Sequence, residues 1–293
     1  MKPQKEILSL EEFYTLVQAG VATGIRKVRI TGGEPLVRLG VVDFIRQVSS
    51  IPQIDDIAIT TNGILLSSMA KQLKEAGLSR VNISMDTLRV DRFKKITRNG
   101  NLSDVWMGIK AAMAEGLQPI KINTVVIRGF NDDEIFDFAR LTQEFPLHVR
   151  FIELMPIGES NDWARDKYVP IQEIMDKLGE MGQLEPAQIS KGAGPAKYYR
   201  ISPDAPGTIG FISALSDHFC GTCNRLRLTA EGKLRPCLQS DYEVDLRTPL
   251  RNGATVAELA GIFGDTIGVK PQAHTMVDDG WIDGNRIMSQ IGG

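Results

Sequence analysis

Cysteine is scarce in this chain: three residues in 293, at positions 220, 223 and 237. A disulfide framework needs more cysteines, spread along the sequence, so this group points to a metal or cluster instead. No apolar run approaches the roughly 18 residues of a membrane span. The opening Met1-Lys2-Pro3-Gln4-Lys5-Glu6 also lacks the apolar core of a secretory signal, so the expected location is cytoplasmic. An excess of either charge is missing too, since 34 Lys and Arg face 36 Asp and Glu for a net charge of −2. That balance excludes a general binder of nucleic acid or membrane surfaces, and any anionic ligand must be held by cations gathered locally. No low-complexity tract and no repeat beyond a βα unit is present. With 42% hydrophobic residues the chain can bury a sizeable core, as one α/β domain or as a barrel with an appended module.

Helical and extended periodicities alternate along the first 180 residues. Ser9 followed by Glu12 reads as a capping box ahead of the stripe Leu10, Phe13, Tyr14, Val17. Strands are expected at Lys27–Thr31, Ile57–Thr61, Val81–Met85, Lys121–Ile127 and Val149–Glu153. Helices between and after them are expected at Val41–Val48, Ser67–Ala76, Ser103–Ala114, Asp133–Glu144 and Ile171–Leu178. Such alternation builds parallel strands with right-handed crossovers.

The strands themselves are not continuously apolar, as a sheet covered on both faces would require. Arg29 and Thr31 alternate with Val28 and Ile30, and Asn82, Ser84 and Asp86 with Val81, Ile83 and Met85. Lys121 and Asn123 alternate with Ile120 and Ile122, and His148 and Arg150 with Val149 and Phe151. One face of the sheet is therefore polar and cationic, which fits a barrel with a wet lumen better than a dry core. From about residue 183 Gly/Pro-rich tracts interrupt the pattern. Short strands follow at Lys197–Ile201 and Gly210–Ile212, with a helix around Val256–Phe263. Two domains are expected, 1–182 and 183–293.

Cys220-Gly221-Thr222-Cys223 followed by Cys237 is C-x2-C-x13-C, which lets two thiolates from one turn meet a third from a hairpin. Structural zinc with His218 as fourth ligand and a 4Fe–4S cluster with one open iron both satisfy this spacing. Thr31-Gly32-Gly33-Glu34-Pro35 follows a strand directly, and its paired glycines let backbone groups approach a ligand, although a tight βα turn would need them too.

The strand ending in Thr31-Gly32-Gly33-Glu34-Pro35 resembles the second strand of radical S-adenosylmethionine enzymes, which contacts the aminocarboxylate of that cofactor. The run from Cys220 through Asn224-Arg225-Leu226-Arg227 to Cys237-Leu238 closely resembles the C-terminal cluster motif of the GTP 3′,8-cyclase family of molybdenum-cofactor biosynthesis. The terminal Gly292-Gly293 is similar as well, and the likeness extends over essentially the whole chain. It implies an α/β fold built as an incomplete TIM-type βα barrel, with a small C-terminal α+β iron–sulfur module.

Residue by residue, the resemblance implies S-adenosylmethionine contacts at Gly33, Ser84 and Met155. GTP contacts are implied at Arg29, Thr60, Lys121, Arg225 and Arg227, with Arg150 at another lumen position facing the triphosphate. Cys220, Cys223 and Cys237 would hold a 4Fe–4S cluster whose open iron binds the purine, and Gly292 and Gly293 would reach into the site. A 5′-deoxyadenosyl radical would abstract the ribose 3′ hydrogen of GTP, and the sugar radical would attack C8, giving (8S)-3′,8-cyclo-7,8-dihydroguanosine 5′-triphosphate. Implied partners are a flavodoxin or ferredoxin reductant, a downstream cyclic pyranopterin monophosphate synthase and a second copy in a homodimer, with no nucleic acid or membrane.

The family's second 4Fe–4S cluster sits on an N-terminal C-x3-C-x2-C that this sequence does not contain; nor are the barrel's first strand, its loop, and the Arg and aromatic residue supplied there. The radical-generating residues are therefore unassigned, and the chain as written is expected to lack activity. Two other readings remain open: a truncated, non-catalytic GTP-binding remnant whose cluster is structural, and a peptide-modifying radical enzyme. Asn224-Arg225-Leu226-Arg227 and the terminal Gly-Gly favour the cyclase over the peptide enzyme.

Overall fold

The computed structural model describes residues 3–98, 100–155, 157, 162–189, 194–217, 219–274 and 286–291. The chain opens with α1 (Leu10–Ala22) and continues through β1 (Lys27–Ile30), α2 (Val41–Ser49), β2 (Asp56–Thr61), α3 (Leu66–Glu75) and β3 (Arg80–Ser84). Then come α4 (Val90–Thr97), α5 (Leu102–Ala114), β4 (Ile120–Val126), α6 (Ile135–Glu144) and β5 (Leu147–Glu153). Next are α7 (Asp162–Lys167), α8 (Ile171–Gly179), β6 (Glu185–Ala187), β7 (Lys197–Arg200) and β8 (Thr208–Ile212). The cysteine segment carries β9 (Arg227–Leu228), β10 (Lys233–Arg235) and β11 (Val244–Asp245), followed by α9 (Arg247–Arg251), α10 (Val256–Gly268) and α11 (Met288–Ile291).

Eight strands form one sheet in the order β1-β2-β3-β4-β5-β8-β7-β6, and β9 to β11 form a separate three-stranded sheet. The pairs from β1 to β5 and the pair β5–β8 are parallel, whereas β7 joins β8 and β6 joins β7 antiparallel. The fold is therefore α/β with a sheet dominated by parallel pairs. Strands after residue 183 continue this sheet through β8, so the change in sequence texture there is not a break in hydrogen bonding.

Local chemistry accounts for the elements. Ser9 and Glu12 form the reciprocal capping box at α1, and Thr255 and Glu258 form a second one at α10. Gly77 ends α3 at a φ of +98°, where an added Cβ would also lie 2.5 Å from Cβ of Ser49, so the turn requires glycine. The helix α4, which periodicity alone does not announce, buries only Phe93 among its eight residues.

The main core lies between the sheet and α2, α3, α5, α6 and α8, with Ile45, Ile59, Leu73, Ile83, Ile122, Phe138, Phe151 and Leu178 fully buried. A second core joins Leu16 and Ala19 of α1 to Leu234 of β10 and to Leu259 and Phe263 of α10. Thus α1 faces two ways, stacking Phe13 edge-on to Phe44 of α2 and its other side to α10.

Candidate active site

Period-2 alternation sets the polar side chains of five neighbouring strands on the face opposite the helical core. Arg29 on β1 lies opposite Ala58, which lies opposite Arg80 on β3; Thr60 lies opposite Asn82, and Asn82 opposite Lys121 on β4. Asn123 then pairs with Arg150 on β5, Arg150 with Gly210 on β8, and Gly210 with Tyr198 on β7. At Gly210 a Cβ would stand 2.8 Å from the Tyr198 ring and 3.0 Å from Arg150, so glycine here lets the two side chains pack together.

Burial and mutual repulsion shape the charges on this face. Asp56 takes two parallel bonds from Arg80, at 3.0 and 2.7 Å, and Arg80 is 3% exposed. Arg150, buried, donates to Asn82 Oδ1 at 3.0 Å, and its cation is disfavoured by desolvation although the Tyr198 hydroxyl bonds to it. Lys121 is 2% exposed, lies 5.9 Å from the centre of the Tyr198 ring, and has its pKa lowered to about 7 by desolvation and then by Arg150, Arg80 and Arg29. His148 shares a 2.6 Å hydrogen bond with Thr208, and desolvation with the cations Lys121, Arg150 and Arg200 pushes it down to about 4, so it is neutral at pH 7.

Arg29 is accessible to water, yet its pKa falls to about 10 through desolvation and the charges of Arg150, Arg80, Arg225 and Arg227. The charges of Arg225 and Arg227, far along the chain, thus act on the strand residue Arg29. Arg227 is itself lowered to about 10 by desolvation and Arg225. Buried Arg80 Nη1, Asn123 Oδ1, Arg150 Nε and Arg227 Nε make no hydrogen bond among the described residues. Unpaired buried donors amid gathered cations are costly unless an anion answers them.

At the C-terminal edge of the sheet, carboxylates tie loops to their neighbours, with Glu134 and Glu153 buried and Glu34 and Asp86 half-buried. Glu34, after β1, accepts from Thr61 Oγ1 at 2.8 Å and from the amide of Asn62 at 2.7 Å, both at the end of β2. Asp86, after β3, accepts from the Val125 amide at 2.8 Å, and desolvation raises its pKa to about 6. Glu134 accepts from Thr87 Oγ1 at 2.7 Å and the Leu88 amide at 2.6 Å. Glu153, ending β5, accepts from the Leu215 amide at 2.7 Å beyond β8. These bonds hold the edge that carries Gly33, Ser84 and Met155, at the ends of β1, β3 and β5. Gly33 and Ser84 are exposed and Met155 is half-buried.

Cys220 and Cys223 bracket one 3-10 turn, closed by the bond from the Cys223 amide to the Cys220 carbonyl at 3.0 Å. All three cysteines are free and half-buried. Desolvation would raise the Cys223 pKa, but hydrogen bonds from Arg225 and the charges of Arg225 and Lys270 outweigh it and lower the thiol. Both Cys223 and Cys237 lie close enough to Arg227 to favour its charge. Lys270 fastens this segment by donating to the Arg225 carbonyl at 2.9 Å and the Pro236 carbonyl at 2.5 Å. Among the described residues no three Cys, His, Asp or Glu side chains converge at metal-binding distance. His218, Gly292 and Gly293 lie outside the described residues.

The structure thus gathers Arg29, Lys121, Arg150, Arg225 and Arg227, with Thr60 on the same face, and puts Gly33, Ser84 and Met155 along one edge. Asp56, Tyr198, Glu153 and Lys270 were not singled out from sequence. Asp56 shares the polar parity of Thr60 on β2, and Arg80 that of Asn82 on β3, which is the one signal that could have paired them; nothing local marks the other three.

Residues 1–142 match the family described as the Radical SAM superfamily, and residues 147–276 match the one described as Molybdenum Cofactor Synthesis C. A GTP 3′,8-cyclase from Pelotomaculum thermopropionicum is 58% identical over 99% of this chain and 89% of its own length. Those from Heliobacterium modesticaldum and Moorella thermoacetica are 57% and 53% identical, over 99% and 100% of this chain and 88% and 90% of theirs. Among the described residues no helix is long and apolar enough to cross a membrane.

Proposed function

From the premise that this chain belongs to the GTP 3′,8-cyclase family of the radical S-adenosylmethionine superfamily, we propose how its own residues serve that reaction. The family reaction converts GTP to (8S)-3′,8-cyclo-7,8-dihydroguanosine 5′-triphosphate in molybdenum-cofactor biosynthesis. Arg29, Lys121, Arg150, Arg225 and Arg227 bind the triphosphate, with Thr60 supplying a hydroxyl beside them. The supporting observation is that cations from both family-matched halves influence one another at the polar face of the sheet, where buried nitrogens stay unpaired among the described residues, in a chain whose net charge is −2.

Gly33, Ser84 and Met155 contact S-adenosylmethionine at the loop edge that Glu34, Asp86, Glu134 and Glu153 hold. Cys220, Cys223 and Cys237 hold a 4Fe–4S cluster; three half-buried thiols flanked by Arg225, Arg227 and Lys270 suit a ligand that needs thiolates with compensating cations. Superfamily chemistry employs S-adenosylmethionine and a 4Fe–4S cluster, which when bound supply a 5′-deoxyadenosyl radical. The sequence has no cysteines beyond these three, so its residues do not fit the second, radical-generating cluster, and their roles are to bind GTP, S-adenosylmethionine and the C-terminal cluster.

Arg225 and Arg227 stand between the strand cations and the thiols, which orients a bound nucleotide with its phosphates toward Arg29 and Arg150 and its base toward the cysteines. The fold is an incomplete TIM-type βα barrel, with residues 1–182 forming most of its units and 183–293 a cluster-bearing α+β module. Flavodoxin or ferredoxin serves as reductant, a cyclic pyranopterin monophosphate synthase takes the product, and the protein works as a cytoplasmic homodimer.

Anaerobic reconstitution followed by metal analysis tests the cluster. About four irons per chain are expected, with loss on Cys223→Ser. One zinc per chain, retained only when His218 is present, would overturn it.

A further inference from the structure

We propose that Glu153 is a positioning residue that fixes Met155 and the approach to Cys220 in one frame; this rests on the reading of Met155 and the cysteines given above. The Glu153 side chain is fully buried and accepts five hydrogen bonds from two separate parts of the chain, residues 168–171 and 215–216. Its Oε1 receives Tyr168 Oη at 2.9 Å, the Ile171 amide at 3.0 Å and Ser216 Oγ at 2.5 Å. Its Oε2 receives the amides of Leu215 at 2.7 Å and Ser216 at 3.1 Å.

Ile171 is the first residue of α8, so the carboxylate also sits where the helix dipole favours negative charge. The loop it grips is pinned from outside as well, by His274 Nε2 on the Ala214 carbonyl at 2.8 Å and by Lys197 on Asp217 at 2.5 Å. Two residues after Glu153 comes Met155, and four residues after Ser216 comes Cys220. One carboxylate therefore joins the strand end carrying the proposed cofactor contact to the loop carrying the proposed cluster ligand. A glutamine keeps the size and one acceptor. It must turn an NH2 group toward either the Leu215 and Ser216 amides or the Ile171 amide, and donors cannot face donors.

The test compares wild type with Glu153→Gln and Ser216→Ala as full chains, reconstituted anaerobically to equal iron content. Two quantities are read besides melting temperature: the affinity for S-adenosylmethionine, and the electron paramagnetic resonance spectrum of the cysteine-bound cluster before and after GTP. Glu153→Gln is expected to weaken S-adenosylmethionine binding about tenfold, the usual scale for residues that orient a ligating group, and to alter the spectrum. Ser216→Ala should move both in the same direction by less. A lower melting temperature with affinity and spectrum as in wild type would make Glu153 a purely structural staple and overturn the proposal. Should Glu153→Gln not fold, Ser216→Ala and Tyr168→Phe, each removing one donor, decide by the same two readouts. Wild type that holds iron yet binds no S-adenosylmethionine would refute the underlying reading of Met155 and the proposal with it.

Discussion

The depressed pKa of Lys121 makes GTP affinity a function of pH in a calculable way. With a pKa of about 7, set by desolvation and by Arg150, Arg80 and Arg29 against the opposing charge of Asp56, Lys121 is half-neutral at pH 7. A triphosphate beside it favours the ammonium, so binding draws a proton from solution. The charged fraction of the unliganded protein falls from about one quarter at pH 7.5 to about 3% at pH 8.5, so affinity should drop about eightfold, or ~1.2 kcal/mol. His148, at about 4, and Arg29 and Arg227, at about 10, titrate outside this window. The last ionisation of a phosphate, near about pH 6, is complete before it. Calorimetric titration of GTP without S-adenosylmethionine, in two buffers of different ionisation enthalpy, should show uptake approaching one proton at pH 8.5. Lys121→Met should bind more weakly at pH 7.5 and lose the slope. A flat profile in wild type, or an unchanged slope in Lys121→Met, would refute the argument. Without nucleotide the sign reverses for stability: the folded state binds fewer protons than the unfolded one between about 7 and the ordinary lysine value, so the lysine's penalty grows as pH falls through that range and is constant below it.

Arg227→Ala should weaken GTP binding by about 1–3 kcal/mol, the scale of a lost charge-assisted hydrogen bond, while iron content stays unchanged; equal affinity by titration would return Arg227 to a structural role. Asp56→Ala leaves the Arg80 guanidinium, 3% exposed, without its carboxylate. Chemical denaturation should show a loss of about 3–5 kcal/mol, and a change below about 1 kcal/mol would mean that the pair is well hydrated.

The sheet was legible because alternation survives in single strands: Asn82, Lys121 and Arg150 each sit between buried apolar residues and Arg29 between the half-buried Val28 and Ile30, and the expected strands end within two residues of the observed ones. The convergence of Arg225 and Arg227 on Arg29 was legible only through resemblance, since nothing local in the chain predicts contact across so long a separation. The helix α4 escaped because one buried phenylalanine makes no stripe. Tyr198 and Glu153 escaped for another reason: their partners lie on strands and loops distant in the chain, 62 residues away for Glu153 and Leu215, and a lone Tyr or Glu carries no mark of its burial. The three-residue β6 and two-residue β9 and β11 are too short to show any period.

The two-faced packing of α1 has a cost during synthesis. Glu12 of α1 meets its partner Arg251 across 239 residues, and Leu16 finds Leu259 and Phe263 only once α10 has left the ribosome. At about 5–20 residues per second that wait is roughly 12–50 s. Throughout it the α2-facing side of α1 can already be covered, through Phe13 on Phe44, while Leu16 and Ala19 stay wet. This helix therefore keeps apolar surface exposed on the nascent chain, where a chaperone could cover it, and its docking closes the fold late, when α10 arrives.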